Sequence, residues 1–231
     1  DWREYAFRRS TDANPFPAIM GRVCPAPCQD GCNRNEVEDF VGINSVDQFI
    51  GDSALQAKLA FETPAQDTGR KVAILGGGVA GLAAAYQLRR LGHGATILDE
   101  REELGGMTRY GIPGYRMPRD VMDGEIQRIL DMGIEVHMNT RVGRDISFEQ
   151  LEQDYDAILL AIGAQQGRSL NIPGGDAPKS DSGVALLAAL PEGGMQTTAR
   201  KVGGGGGGGR ARAVVSGGGR GGPRRAARSS K

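Results

Sequence analysis

Two groups of residues in this sequence have types and spacings suited to chemistry. The first is Val72-Ala-Ile-Leu-Gly76-Gly-Gly78-Val-Ala-Gly81, followed eighteen residues later by Asp99 at the end of Ala95-Thr-Ile-Leu-Asp99. The apolar run predicts a buried parallel strand, and Gly76 permits a tight turn. Gly78 lets backbone approach a pyrophosphate, and Gly81 lets the following helix pack closely on the strand. Phosphates then meet free N–H groups at a helix N-terminus. Asp99 stands where an acid accepts hydrogen bonds from a ribose. Together these residues read as a dinucleotide-binding turn.

The second group is Cys24, Cys28 and Cys32, all the cysteines of the chain, in Gly21-Arg-Val-Cys24-Pro-Ala-Pro-Cys28-Gln-Asp-Gly-Cys32. Three residues separate successive thiols, and Pro and Gly prevent a regular helix, so the thiolates can converge on one soft metal centre. An iron–sulfur cluster needs four ligands, which leaves one for a thiolate upstream of Asp1, a non-Cys group or another chain. Zinc, a disulfide and three unligated thiols are the other readings of this spacing. The two histidines, His93 and His137, have no Cys or acid at catalytic spacing and read as packing or surface residues. No Ser-His-Asp arrangement, paired catalytic carboxylates or His-type metal cluster can be assembled, so hydrolysis is not indicated.

The elements that must position these groups follow from periodicity. Residues 1–62 form a Pro- and Cys-bearing segment ending in a helix from about Ser45, where Val46, Phe49, Ile50 and Leu55 recur at near-helical spacing. Residues 63–69 are a polar linker. A strand at Lys71–Leu75, a helix at Val79–Leu91 and a strand at Ala95–Asp99 start a parallel sheet. An irregular stretch then runs through Gly105, Gly106 and Gly111 to Pro118, placed as the first residue of a helix with Val121, Ile126, Ile129 and Leu130 on its apolar face. A strand at Ile134–Met138 follows. Ser147 with Gln150 resembles a capping box for a helix reaching Tyr155, and Ala157–Ile162 is a fully apolar strand. A helix at Val184–Leu190 and a strand beginning at Ala199 come last. The fold class expected is α/β: an incomplete Rossmann-like domain over residues 70–198, preceded by a small helical segment.

The formal charge is zero, with 28 basic and 28 acidic side chains, but it is unevenly spread. Seven of the basic residues and no acid fall in residues 203–231, so the rest of the chain is anionic and does not invite nucleic acid or an anionic membrane. Residues 203–231 hold twelve glycines and six arginines without an aromatic, so they cannot bury a core. Arg-Gly text would suit RNA, but base-stacking aromatics are missing. No apolar run of transmembrane length and no signal peptide is present, and a cytoplasmic location is expected. The chain opens on Asp1 and not Met, which reads as a piece of something longer.

A resemblance runs through several of these motifs in order. They are Asn14-Pro-Phe-Pro-Ala-Ile-Met-Gly-Arg-Val-Cys24, the three Cys, Val41-Gly-Ile-Asn-Ser, the glycine turn, Leu104-Gly-Gly-Met-Thr-Arg-Tyr-Gly-Ile-Pro-Gly-Tyr-Arg-Met-Pro118, and Tyr155-Asp-Ala-Ile-Leu-Leu-Ala-Ile-Gly163. Over about residues 10–202 the chain resembles the small subunit of NADPH-dependent glutamate synthase and its relatives. The cysteine spacing looks most like the branch associated with dissimilatory sulfite reductase. The resemblance implies FAD in the first Rossmann domain, NAD(P)H in a second one inserted into it, and 4Fe-4S clusters in the helical segment. Gly76, Gly78 and Gly81 would face the FAD pyrophosphate and Asp99 its ribose. Gly105 and Gly106 would border the flavin, Val142 the adenine, and Gly163 the closing loop. Cys24, Cys28 and Cys32 would be three of four ligands to one cluster. Arg109, Tyr110 and Arg116 read equally as contacts to flavin or phosphate and as loop anchors. The partner implied is a large catalytic subunit or another redox protein, and no residue is expected to act as a catalytic acid or base. The NAD(P)H domain would begin near Lys201, where the sequence instead runs into seven glycines, so residues 199–231 are read as its truncated start and a low-complexity tail.

Overall fold

A computed structural model of the chain describes residues 2–64 and 66–167, Leu187, and the backbone of residues 199–204 and 213–217. The chain divides into two compact units, residues 1–165 and 166–231.

The first unit opens with helices α1 (Trp2–Thr11), α2 (Pro17–Val23) and α3 (Pro27–Asp30), a 3-10 turn at Asn33–Glu36, and α4 (Ile43–Gln56). α4 is the helix foreseen from its apolar spacing, but it packs through another face. Gly51 and Ala54 are its buried residues, whereas Val46 and Phe49 are 53% and 55% exposed. The cause is a close crossing with α2. A side chain at Gly51 would collide with the backbone of Ala18, and one at Gly21 with the backbone of Gln48, so only small residues fit between the helices.

β1 (Lys71–Leu75), α5 (Val79–Arg90) and β2 (Gly94–Leu98) match the foreseen strand–helix–strand to within a residue. Then come α6 (Met107–Tyr110), a short helix inside the stretch read as irregular, α7 (Arg119–Leu130), β3 (Glu135–His137), α8 (Phe148–Asp154) and β4 (Ala157–Leu160). Pro118 caps α7 from just outside it. The Ser147 hydroxyl accepts the Gln150 N–H, so the N-cap read from sequence is formed. The four strands pair in parallel in the order β3-β2-β1-β4, with Val72 opposite Ala95 on one side and Ala157 on the other. β4 is an edge strand, and Leu160 is left 64% exposed there.

The core lies between the sheet and its helices. Ile74 of β1, Ile97 of β2, Leu82 of α5, Met122 and Ile129 of α7, and Ile19 of α2 are all in one buried cluster. The helical segment and the sheet therefore share a core. Each fully buried side chain of this size contributes roughly 1.5–3 kcal/mol. The Tyr86 hydroxyl on α5 also donates to the Thr11 carbonyl at 2.9 Å, and Phe61 packs between Phe7 and Tyr86.

In the second unit β5 (Ala199–Gly204) pairs antiparallel with β6 (Ala213–Gly217). The strand expected at Ala199 is present, while β6 arises where the sequence shows no strand periodicity. The expected helix at Val184–Leu190 lies outside the described residues except for Leu187, which is helical.

Candidate dinucleotide site and cysteine loop

A cleft of about 590 Å³ opens at the C-terminal end of the parallel sheet, within the range of small-molecule sites. Its floor is the turn between β1 and α5. Gly76 has φ +112°, and a side chain there would strike the Ala161 carbonyl. A side chain at Gly81 would run into the Gly76 carbonyl, which is why α5 can sit so close to the end of β1. Gly78 is the N-cap of α5 and has no side chain to occupy the first amides of the helix. Val79 and Ala80, whose N–H groups start that helix, line the cleft. The turn thus presents unshielded donors and the positive end of a helix to the cleft.

Asp99 lines the cleft from the end of β2, and its carboxylate already has work within the protein. It accepts the Gly77 N–H at 2.6 Å and the Arg101 N–H at 2.9 Å. The acid therefore clamps the glycine turn to the β2 loop. Gly77, which the sequence motif did not single out, has less room than Gly78, since a side chain there would meet the tip of the Leu104 side chain. The signal available for it was its position inside the glycine triplet.

Gly105 and Gly106 close the other side. The Gly105 N–H donates to the Gly77 carbonyl at 2.9 Å, and a Cβ at Gly106 would lie 2.8 Å from the Cα of Gly78. Two glycine segments meet backbone to backbone, and Gly78 and Gly106 both line the cleft. Arg109 decides between its two readings in favour of anchoring. It is only 7% exposed, donates from Nε to the Leu104 carbonyl at 2.5 Å, and pairs with Asp123 on α7. The Thr108 hydroxyl donates to the Gly105 carbonyl at 2.6 Å and also reaches the Met122 sulfur. Tyr110 lies under the Arg101 guanidinium, 4.4 Å from its ring centre, and its hydroxyl accepts the Glu103 N–H. Arg116 is exposed.

Of the residues foreseen from sequence, Gly76, Gly78, Asp99, Gly106, Val142 and Gly163 line the cleft, whereas Gly81 and Gly105 do not. Thr140, Arg141, Ile162 and Gln165 also line the cleft and were not singled out. They come from loops after β3 and β4, which have no local pattern of their own. Among the described residues, all those lining the cleft lie in the first unit. The cradle fits a dinucleotide: at Gly76, Gly81 and Gly106 neighbouring backbone leaves no room for a side chain, the uncapped start of α5 faces the cleft, and an acid stands at the end of β2.

The cysteine loop leaves α2 directly. Cys24 caps the C-terminus of that helix, donating its N–H to the Met20 carbonyl, and its sulfur accepts the Ala26 N–H at 3.4 Å. Ala26 takes a left-handed conformation, with φ 51°, to turn the chain into α3, which contains Cys28. Cys32 precedes the 3-10 turn. Backbone N–H groups of Val41 and Arg34 facing its sulfur lower its thiol pKa, with Val41 the larger influence. Cys24 and Cys28 are exposed and Cys32 is partly so. Among the described residues no three Cys, His, Asp or Glu side chains are gathered as a metal site. The donor set is still that of a thiolate-held centre, with main-chain donors aimed at sulfur. His93 bonds Thr68 through Nδ1, the surface role expected of it.

Comparison with known proteins places these features. A family model described as pyridine nucleotide-disulphide oxidoreductase matches residues 70–226. One described as dihydropyrimidine dehydrogenase domain II, 4Fe-4S cluster, matches residues 2–59. The chain is 43% identical over 178 residues to glutamate synthase [NADH] of Schizosaccharomyces pombe, covering 76% of this chain and 8% of that one. It is 36% identical over 180 residues to the NADP(+)-dependent formate dehydrogenase subunit beta of Moorella thermoacetica, covering 68% and 26%. The small chain of glutamate synthase [NADPH] from Bacillus subtilis is 37% identical over 176 residues, covering 76% and 36%. The likeness to glutamate synthase small subunits expected from sequence motifs is what these comparisons find. The chain spans little more than a third of these relatives at most.

Proposed function

The chain belongs to the pyridine nucleotide-disulphide oxidoreductase family, and from that premise we propose that it is the FAD-binding piece of an electron-transfer oxidoreductase of the glutamate synthase small-subunit type. Electrons would pass from NAD(P)H through FAD and a 4Fe-4S cluster to a partner protein, a large catalytic subunit or another redox protein. The observation that carries this reading is the cradle in which Gly76–Gly78 and Gly105–Gly106 meet backbone to backbone over the uncapped start of α5.

In this reading Gly76, Gly78 and Gly81 leave room for the FAD pyrophosphate against the first amides of α5. Asp99 orients the ribose while holding Gly77, Val142 borders the adenine, and Gly105, Gly106 and Gly163 border the remaining dinucleotide. Cys24, Cys28 and Cys32 supply three cluster ligands, and the fourth comes from outside the described residues. Residues 1–62 form the partial cluster domain, 63–69 the linker, 70–198 the FAD domain and 199–231 the start of the NAD(P)H region. FAD, when bound, supplies the conversion of hydride chemistry into single-electron release, which side chains cannot perform. The chain contributes binding, orientation and exclusion of water, and no side chain acts as acid or base. A reducing compartment, the cytoplasm, suits three cysteines that form no disulfide and are kept as thiolates for a cluster. Among the described residues no helix is long and apolar enough to cross a membrane.

The test is the visible spectrum of the chain purified without oxygen, before and after dithionite, with iron, sulfide and zinc measured on the same sample. Flavin bands over a broad bleachable shoulder are expected. A folded but colourless chain overturns the flavin reading, and zinc without iron or sulfide overturns the cluster reading.

A further inference from the structure

Helix α2 lacks a cap of its own. Its N-cap residue is Phe16, whose side chain cannot accept a hydrogen bond, and its first residue is Pro17. The next two amides, those of Ala18 and Ile19, precede any intrahelical acceptor. Both are satisfied from far away in sequence: Glu125 on α7 accepts the Ala18 N–H at 2.9 Å with one carboxyl oxygen and the Ile19 N–H at 2.8 Å with the other. Glu125 is completely buried. The closeness of Gly51 on α4 to the Ala18 backbone seals the same spot.

The helix that carries Glu125 also holds the cleft. One turn before it, Met122 accepts the Thr108 hydroxyl, and Asp123 pairs with Arg109, so the Gly105–Gly106 loop is fixed to α7 at these two points. At its other end α2 terminates on Cys24. A single rigid helix thus grips the cleft loop with residues 122 and 123 and the helix leading to the thiol with residue 125.

We propose that Glu125 is a positioning residue: it supplies the missing N-cap of α2 from within the dinucleotide-binding fold and so sets where Cys24 stands relative to the cleft. Its carboxyl faces Arg128 from its own helix, with Nη1 3.9 Å from Oε1, and feels Asp52 of α4, which is paired with Arg22 of α2. Arg128 is itself buried against the rings of Phe7 and Phe61, with neither terminal nitrogen hydrogen-bonded among the described residues, so its charge and that of Glu125 depend on each other. Burial pushes the Glu125 carboxyl up to about 7. The consequence for electron passage rests on the reading of the cleft and thiols given above, whereas the seat of α2 does not.

The test compares amide hydrogen exchange in the full chain and in Glu125→Gln, with neither FAD nor cluster bound. Gln keeps one acceptor but turns an NH2 group toward the second amide. The Ala18 and Ile19 amides are expected to exchange roughly tenfold faster or more in the variant, while those of β1 and α5 stay unchanged. Unchanged exchange at Ala18 and Ile19, or equal loosening throughout the unit, overturns the proposal. Should the variant not fold, the wild-type chain decides by amide chemical shifts followed from low to high pH. The two amides share one titration if the Glu125 carboxyl caps them, and the lack of a shared titration overturns the proposal. Because no cofactor is needed, failure of the seat and failure of the flavin reading give different results.

Discussion

At the scale of single residues, the glycines of the turn divide by what a methyl group would meet. At Gly81 it would run into the Gly76 carbonyl, and α5 would have to lift away from β1. Gly81→Ala is expected to cost about 2 kcal/mol, or roughly 5 °C in Tm, by overpacking. At Gly78 the nearest atom is the Gly106 Cα at 3.7 Å, an ordinary contact, so Gly78→Ala is expected to melt like the wild type. Its defect falls on FAD affinity, because residue 78 lines the cleft. Thermal melting and flavin titration of both variants check this contrast; a large Tm loss for Gly78→Ala contradicts it.

At the scale of elements, the cleft depends on a helix that contributes no residue to its lining. α7 holds the double-glycine loop through Asp123 and Met122, and the Arg109 guanidinium is the link. Arg109→Met keeps the apolar stem but leaves the Leu104 carbonyl without its donor. The expected loss is about 1–3 kcal/mol, with flavin affinity falling alongside it. Hydrogen exchange should rise in residues 104–111 before it rises in β1, and equal change in both would mean that Arg109 acts only on global stability.

At the scale of the whole molecule, every described residue lining the cleft falls before the break between Gln165 and Gln166. A chain shortened to residues 1–198, which keeps the whole proposed FAD domain, is therefore expected to bind FAD with the affinity of the full chain. Isothermal titration of the two forms checks this, and a large loss on shortening would show that residues 199–231 contribute to the site. The helical segment, by contrast, cannot be removed without cost, because Phe16 and Ile19 belong to the same core as β1, α5 and α7.

Local signals in the sequence determined the dinucleotide turn, the strands and helices around it, the Ser147 cap and the cysteine loop. A glycine, an apolar run or a capping hydroxyl acts on its own few residues, so these features are readable without knowing their neighbours. Tertiary structure alone decided which face of α4 is buried, because a close crossing selects Gly51 and Ala54 over Val46 and Phe49. It also decided that Arg109 anchors a loop, that Asp99 clamps Gly77, and that the cap of α2 comes from Glu125. Each of these is a contact between segments distant in sequence. Such contacts depend on the path of the intervening backbone, which no local residue pattern encodes.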